Sequence, residues 1–286
     1  MIESLYVGIP HKHVSRLKLD QDQVAKFEKV TGIKHTRRHE GNTYSMICDL
    51  IDEMPRILDV PNYLIVITQS PDQLSPCLAV EVHDYLDLPA STVAFDVNHA
   101  CDGWVLGMHL ANSLRGRTML ICADRLRFEP DPIQGLMFSD AVTITQVTNG
   151  FNPFKSYTDG SKAGYLSCGL NGEMSMHGPE VFDFVTDKIP KFISQFPAGY
   201  DWLVPHQANL SMLKILERRS DYNGHMLYSI EEYGNQSMNS IPTCLAHNEK
   251  KIIGKEVLCV GFGAGFTACG IGMHWPTKPI TKIVEI

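Results

Sequence analysis

Apolar positions along this chain fall into two kinds of run. The short ones, "YLIVIT" (63–68), "STVAFDV" (91–97), "TMLICAD" (118–124), "WLVP" (202–205) and "VLCVGF" (257–262), are nearly continuous and rich in β-branched residues. Runs without polar alternation predict strands covered on both faces, as in a parallel or mixed sheet between helices. The longer ones repeat at helical spacing. Trp104, Val105, Met108, Leu110 and Ala111 predict a buried helix. "LSMLKILERR" (210–219) sets Leu210, Met212, Leu213, Ile215 and Leu216 against Lys214, Arg218 and Arg219, as an amphipathic helix does. The pattern also echoes itself. "PNYLIVITQS" (61–70) resembles "GYDWLVPHQAN" (199–209), and "RGRTMLICAD" (115–124) resembles "IGKEVLCVGFGAG" (253–265). Two related α/β halves are therefore expected, 1–150 and 151–286, meeting near the turn-rich "TNGFNPFKSYTDGSKAG" (148–164). No shorter repeat points to a solenoid.

Composition narrows the class. With 286 residues, 44% hydrophobic and 20% charged, the chain can bury a substantial core as an ordinary globular protein. A net charge of −7 gives no basic field for nucleic acid. No window approaches ~18 uninterrupted apolar residues, so no membrane span is expected. "MIESLYVGIPHKH" lacks the basic-then-apolar order of a signal sequence, so a cytoplasmic protein with reduced cysteines is expected. The eight cysteines stand singly, without CxxC or zinc-ligand spacing, and no metal is expected. His11 and His13 read as part of a solvated loop.

Four turns carry candidate chemistry. In "DVNHACDGWVLG" (96–107), Cys101 stands where an apolar strand breaks into an apolar helix. Unpaired N–H groups at a helix start favour thiolate over thiol. "LVPHQAN" puts His206 just past a buried strand, and "EEYGNQSMNSIPTCLA" puts Asn235 in a tight turn before a helix. "GFGAGFTACG" (261–270) is a glycine-rich turn after a strand, neither GxGxxG nor a GK[ST] loop, and suits a backbone that approaches a ligand closely. Each alone has a bland reading: a small buried hydrophobe, a structural histidine, a turn asparagine. Together they fit acyl transfer. A thiolate attacks a thioester carbonyl, backbone N–H groups hold the oxyanion, and a histidine with an amide holds a second carbonyl as it gains enolate character.

These stretches, with "TGIKHTRR" (31–38), "VPHQANL", "GNQSMNSIP" and "GFGAGFT", resemble the ketoacyl-acyl-carrier-protein synthase III family of thiolase-fold condensing enzymes over nearly the whole chain. The resemblance implies a five-layer α-β-α-β-α fold of two similar halves. It implies Cys101 as the acylated nucleophile, and His206 with Asn235 as the groups that bind the extender thioester and stabilise its enolate. It further implies an oxyanion hole from the N–H of Cys101 and the backbone at Gly263–Ala264, with Phe262 beside the decarboxylation site. Substrates would be coenzyme A or acyl-carrier-protein thioesters, with no separate cofactor, and the enzyme a homodimer with its seam near "QLSPCLAVEV" (73–82) and "STVAFDV". Lys214, Arg218 and Arg219 are candidates for docking the carrier protein.

The chain also departs from the family. It is shorter around 38–62 and 125–165. Lys26 and Val30 stand where many members clasp coenzyme A with a tryptophan and an arginine, and Ser211 where many have a docking arginine. The family's "GDGAGA" is reduced to "FSDAVTI" (138–144), and the partner's pocket phenylalanine corresponds to about Leu74 and Ser75. Asp102, next to the nucleophile, should raise the thiol pKa. Acyl transfer to an alcohol or amine, or a role as one subunit of a heterodimeric synthase, are the competing readings. A papain-like protease has Cys, His and Asn in the same order, but its cysteine signature is missing.

Overall fold

The computed structural model describes residues 1–14, 20–55, 59–126, 136–150, 152–169, 174–278 and 280–286. In chain order the first half runs β1 (Ile2–Ile9), β2 (Lys12–His13), α1 (Gln21–Thr31), β3 (Arg37–Arg38), α2 (Thr43–Asp52), β4 (Tyr63–Ile67), α3 (Leu78–Tyr85), β5 (Val93–Val97), α4 (Gly103–Ser113), β6 (Thr118–Asp124) and β7 (Ala141–Val147). The chain continues with β8 (Phe154–Thr158), β9 (Leu166–Cys168), β10 (Met174–Met176), α5 (Gly178–Asp183), a π-helical segment (Phe184–Lys188), α6 (Ile189–Ile193) and β11 (Trp202–Pro205). It closes with α7 (Leu210–Arg219), β12 (His225–Met226), α8 (Ile230–Tyr233), α9 (Ser240–His247), α10 (Glu249–Ile252), β13 (Glu256–Gly263), β14 (Thr267–His274) and β15 (Ile280–Glu285). Part of the 125–165 stretch that is short relative to the family lies outside the described residues.

Two mixed sheets dominate. The first has the order β15-β1-β7-β6-β4-β5 and the second β12-β11-β13-β14-β8. In the first, β4 runs parallel to β5 and β6, while β7 is antiparallel to β6 and β1. In the second, β11 runs parallel to β12 and β13, while β14 is antiparallel to β13 and β8. The last strand, β15, returns to the first sheet and pairs parallel with β1.

Alternate residues of the central strands feed different layers, and both sets are largely apolar; β5, expected from its apolar run to be covered on both faces, is instead a partly exposed edge strand. Ile65 and Ile67 of β4 face inward with Leu120, where they meet Trp104, Val105 and Met108 of α4, Ile241 and Leu245 of α9, and Val257 and Cys259 of β13. Leu64 and Val66 face outward with Ile121, under Met46, Ile47 and Leu50 of α2 and Val82 of α3. The second sheet's outer face, Leu203, Leu258 and Val260, is covered by Phe184, Ile189, Phe192 and Leu216. The result is helices, sheet, helices, sheet, helices: the five-layer thiolase-like fold that the unbroken apolar strands require. Helix α4 can lie close on the first sheet because of Gly107, where a Cβ would come within 2.6 Å of Ile67 and Leu120 side-chain atoms. No helix among the described residues is long and apolar enough to cross a membrane.

Candidate active site

Strand ends from both sheets converge on Cys101. The cysteine follows β5 on the turn that opens α4, where Gly103 N–H bonds the Ala100 carbonyl at 2.8 Å. Gly263, the last residue of β13, lies directly against it: a Cβ there would stand 2.9 Å from Cys101 Cβ and 3.0 Å from its Sγ. Only a glycine lets this backbone approach the sulfur so closely. Ala264 lies one residue on, and its carbonyl accepts the Thr267 hydroxyl at 2.9 Å.

Asn235 is linked to Cys101 through Ser237, in a loop held by Met137 and Ser139. Its N–H bonds the Met137 carbonyl at 3.1 Å, and its carbonyl accepts Ser139 N–H at 2.8 Å. Its side-chain oxygen accepts Ser237 N–H at 2.9 Å. Because a backbone N–H can only donate, that bond orients the amide and leaves its NH2 group as the donor available to a ligand. Ser237 itself adopts φ 51°, a left-handed conformation for a non-glycine residue, and such outliers concentrate at functional sites. Its hydroxyl points at Cys101 Sγ, 3.9 Å away. His206 follows β11, its N–H bonded to the Val260 carbonyl at 2.9 Å. Its ring meets the Phe262 ring edge-to-face at 5.5 Å, and its buried Nδ1 has no protein partner. The side chain of Gln207, bonded to the Pro205 carbonyl and to Ser229 N–H, fixes the turn.

Burial dominates the electrostatics. Desolvation drives the Cys101 thiol up to about 12; the Ser237 hydroxyl favours the thiolate, while Asp102 and Asp124 oppose it. The helix start is expected to favour thiolate at Cys101, but desolvation outweighs the partial charge of a few N–H groups. His206 is pushed down to about 4, again by burial first, so at neutral pH it is an uncharged imidazole. Asp102 does oppose the thiolate, as expected, but it does not cap α4. Its carboxylate turns to His99, 3.0 Å away as an ion pair, and accepts the Thr267 hydroxyl at 3.1 Å. Burial alone would raise Asp102 and lower His99; their mutual contact reverses both, leaving Asp102 below and His99 above the usual value. His99, Asp102 and Cys269 also bring three potential metal-ligating atoms within 4.8 Å of one another, a proximity that sequence spacing does not reveal.

The basic residues of α7 stand apart from this centre. Lys214, Arg218 and Arg219 are exposed; Lys214 lines a surface hollow with Lys34, Glu217 and Glu231. Arg219 donates to the Thr186 carbonyl at 3.0 Å. Ser211 donates to the Val30 carbonyl, so two positions that depart from the family touch each other. Sequence reasoning passed over Gln69, His99, Asp124 and Ser237 as participants. For Gln69, His99 and Asp124 the signal was present in form, a polar residue at or within two positions of the end of an apolar strand; Ser237, in the loop between α8 and α9, carried no such signal.

Known proteins resemble this chain over most of its length. The family profile described as "3-Oxoacyl-[acyl-carrier-protein (ACP)] synthase III C terminal" matches residues 197–275. A beta-ketoacyl-[acyl-carrier-protein] synthase III 2 of Halalkalibacterium halodurans is 30% identical over 275 residues, covering 84% of this chain and 82% of the relative. A beta-ketoacyl-[acyl-carrier-protein] synthase III of Clostridium botulinum is 26% identical over 289 residues, covering 86% and 88%. The crystal structure of a 3-oxoacyl-(acyl-carrier protein) synthase from Burkholderia xenovorans superposes with a TM-score of 0.89 at 24% identity, over 100% of this chain and 96% of that one.

Proposed function

This chain belongs to the beta-ketoacyl-[acyl-carrier-protein] synthase III family of condensing enzymes, in the acyltransferase class, and we propose that it works through an acyl thioester on Cys101. The observation that carries the reading is the convergence of Cys101, the Gly263 backbone and an Asn235 amide whose donor side is free for a ligand. In the first half-reaction Cys101 Sγ attacks the carbonyl of an acyl thioester. The N–H of Cys101 and the backbone at Gly263–Ala264 hold the oxyanion, and the donor leaves as a free thiol. In the second, a malonyl thioester places its carbonyl oxygen between His206 and Asn235. Carbon dioxide departs, the enolate is held by the two N–H donors, and its carbon attacks the acyl group on Cys101. A 3-oxoacyl thioester leaves and the cysteine thiolate takes a proton from solvent. A neutral His206 suits this role, since it donates a hydrogen bond without bringing a second charge into the site. Phe262, against the imidazole, keeps water from the departing carboxylate.

Donor and extender are coenzyme A or acyl-carrier-protein thioesters in this reading, and Lys214, Arg218 and Arg219 give an acidic carrier a basic helix to dock on. No metal or separate cofactor takes part in the steps. Reduced, unpaired cysteines fit a cytoplasmic enzyme. The free edge of β5, with Val93 51% exposed, fits a homodimer in which two copies of that edge pair across a two-fold axis. Intact-protein mass spectrometry after mixing with a panel of acyl-coenzyme A and acyl-carrier-protein donors tests the function. The expected result is one acyl adduct on Cys101 that malonyl-carrier protein discharges with loss of carbon dioxide. An adduct discharged only by alcohols or amines replaces condensation with acyl transfer to oxygen or nitrogen.

A further inference from the structure

The steps above leave one buried carboxylate unused. Asp124 ends β6 at 1% exposure, and a carboxylate is costly to bury unless other groups hold it. Several do. Gln69 N–H donates to its Oδ1 at 3.0 Å and Gln69 Nε2 to its Oδ2 at 2.9 Å, with the Ser70 hydroxyl at 3.4 Å. The same Gln69 amide donates its other N–H to Ser237 Oγ at 2.8 Å. That bond occupies a lone pair of the Ser237 oxygen, so the hydroxyl proton is directed elsewhere, toward Cys101 Sγ at 3.9 Å, while the amide's other hydrogen holds the Asp124 carboxylate beside it. One neutral amide therefore fixes both a carboxylate and the hydroxyl that stands between it and the nucleophile.

We propose that Ser237 and Asp124 form a proton relay that takes the thiol proton from Cys101 as the cysteine is acylated. The inference rests on Cys101 being the acylated nucleophile. As the bond from Sγ to the acyl carbon forms, the thiol proton passes to Ser237 Oγ and the serine's own proton to Asp124. The bond to the leaving sulfur then breaks, and that thiolate recovers the proton from Asp124, so the products are acyl-cysteine and a free thiol. Ser237, in contact with the reacting sulfur, is the catalytic member; Asp124 acts through it, and Gln69 positions both. Two features of the charge balance favour the relay. A thiol pushed up to about 12 by burial needs a base within the site, and Asp124, raised to about 6 by its own burial, is poised to accept and release a proton near neutrality. Among the described residues, the Cys101, Cys122 and Cys168 thiols feel its charge, and Arg125 is next in the chain. Asp140, at the start of neighbouring β7, is already paired with Arg38.

The test is single-turnover acylation by hexanoyl-N-acetylcysteamine between pH 5 and 8, read as the mass gained on Cys101. The wild-type rate should rise through about pH 6 as Asp124 ionises. Asp124→Asn and Ser237→Ala should each slow acylation about 10²-fold and lose that rise, and the double variant should be no slower than the slower single. The opposite sign sinks the proposal: without a relay, removing a negative charge beside the thiol favours thiolate and makes Asp124→Asn as fast as wild type or faster. Melting curves accompany each variant; should Asp124→Asn not fold, a folded Ser237→Ala with the wild-type pH profile overturns the relay by itself. A wild-type chain that takes no acyl group on Cys101 overturns the acyl-enzyme reading and the relay together, whereas acylation with unchanged variants removes the relay alone.

Discussion

The two sheets are built alike and equipped differently. Strand order β1-β7-β6-β4-β5 in the first repeats as β8-β14-β13-β11-β12 in the second, with the same parallel and antiparallel pairings. Equivalent strand ends reach one centre from opposite sides. After β4 comes Gln69, after β11 His206; β6 ends at Asp124, β13 at Gly263; the turn before inner helix α4 carries Cys101, and the loop before inner helix α9 carries Asn235 and Ser237. In the proposed reading the first half supplies the nucleophile and the relay carboxylate, while the second supplies the enolate donors together with the Ser237 hydroxyl and the Gly263 backbone that serve acylation. Duplication brings two sets of strand ends to one place, and divergence at those ends gives them different chemistry.

That division can be broken one residue at a time. Cys101→Ala should abolish the acyl-enzyme, since no neighbouring group replaces the thiolate as nucleophile, yet leave malonyl decarboxylation in place; an acyl adduct on the variant refutes the assignment. His206→Ala and Asn235→Ala should do the reverse. Each should still acylate Cys101, while carbon dioxide release from a malonyl thioester falls about 10²–10³-fold.

The two halves should also titrate with opposite sign. His206, depressed to about 4 in the fold, is neutral where the unfolded chain's histidine is charged. The unfolded state therefore binds more protons between about pH 4 and 6.5, and this residue makes stability rise with pH across that window by about 3 kcal/mol. Asp124, raised to about 6, holds a proton in the fold that the unfolded chain releases near pH 4, so it makes stability fall with rising pH between about 4 and 6 by a similar ~3 kcal/mol. Denaturant midpoints of wild type should vary little over that range on their account. His206→Ala should expose the falling slope and Asp124→Asn the rising one; parallel curves for the two variants contradict the assignment.

Gly263→Ala sharpens the comparison at its smallest scale. The added methyl must push Cys101 aside, at a cost of about 1–3 kcal/mol in stability, and acylation should slow more than malonyl decarboxylation. An equal loss in both assays would mean that the turn serves both half-reactions equally.

The unbroken apolar strands established by themselves that two sheets lie between layers of helices, because a strand covered on both faces uses apolar residues on both, as β4 does throughout and β6 does from Met119 to Ala123. The echo between 61–70 and 199–209 pointed to related halves, and the family motifs singled out Cys101, His206 and Asn235. What folding decided is everything that depends on residues distant in the chain. Gln69, Asp124 and Ser237 lie on three separate segments, and nothing in their local sequence says that one amide will bridge the other two. The partnership of Asp102 with His99 instead of the helix start depends on how the turn sits against Thr267. The protonation states were likewise beyond local reading. A helix start beside a cysteine argues for thiolate, but the enclosing layers remove water from the sulfur, and the loss of hydration outweighs the partial charge of a few N–H groups.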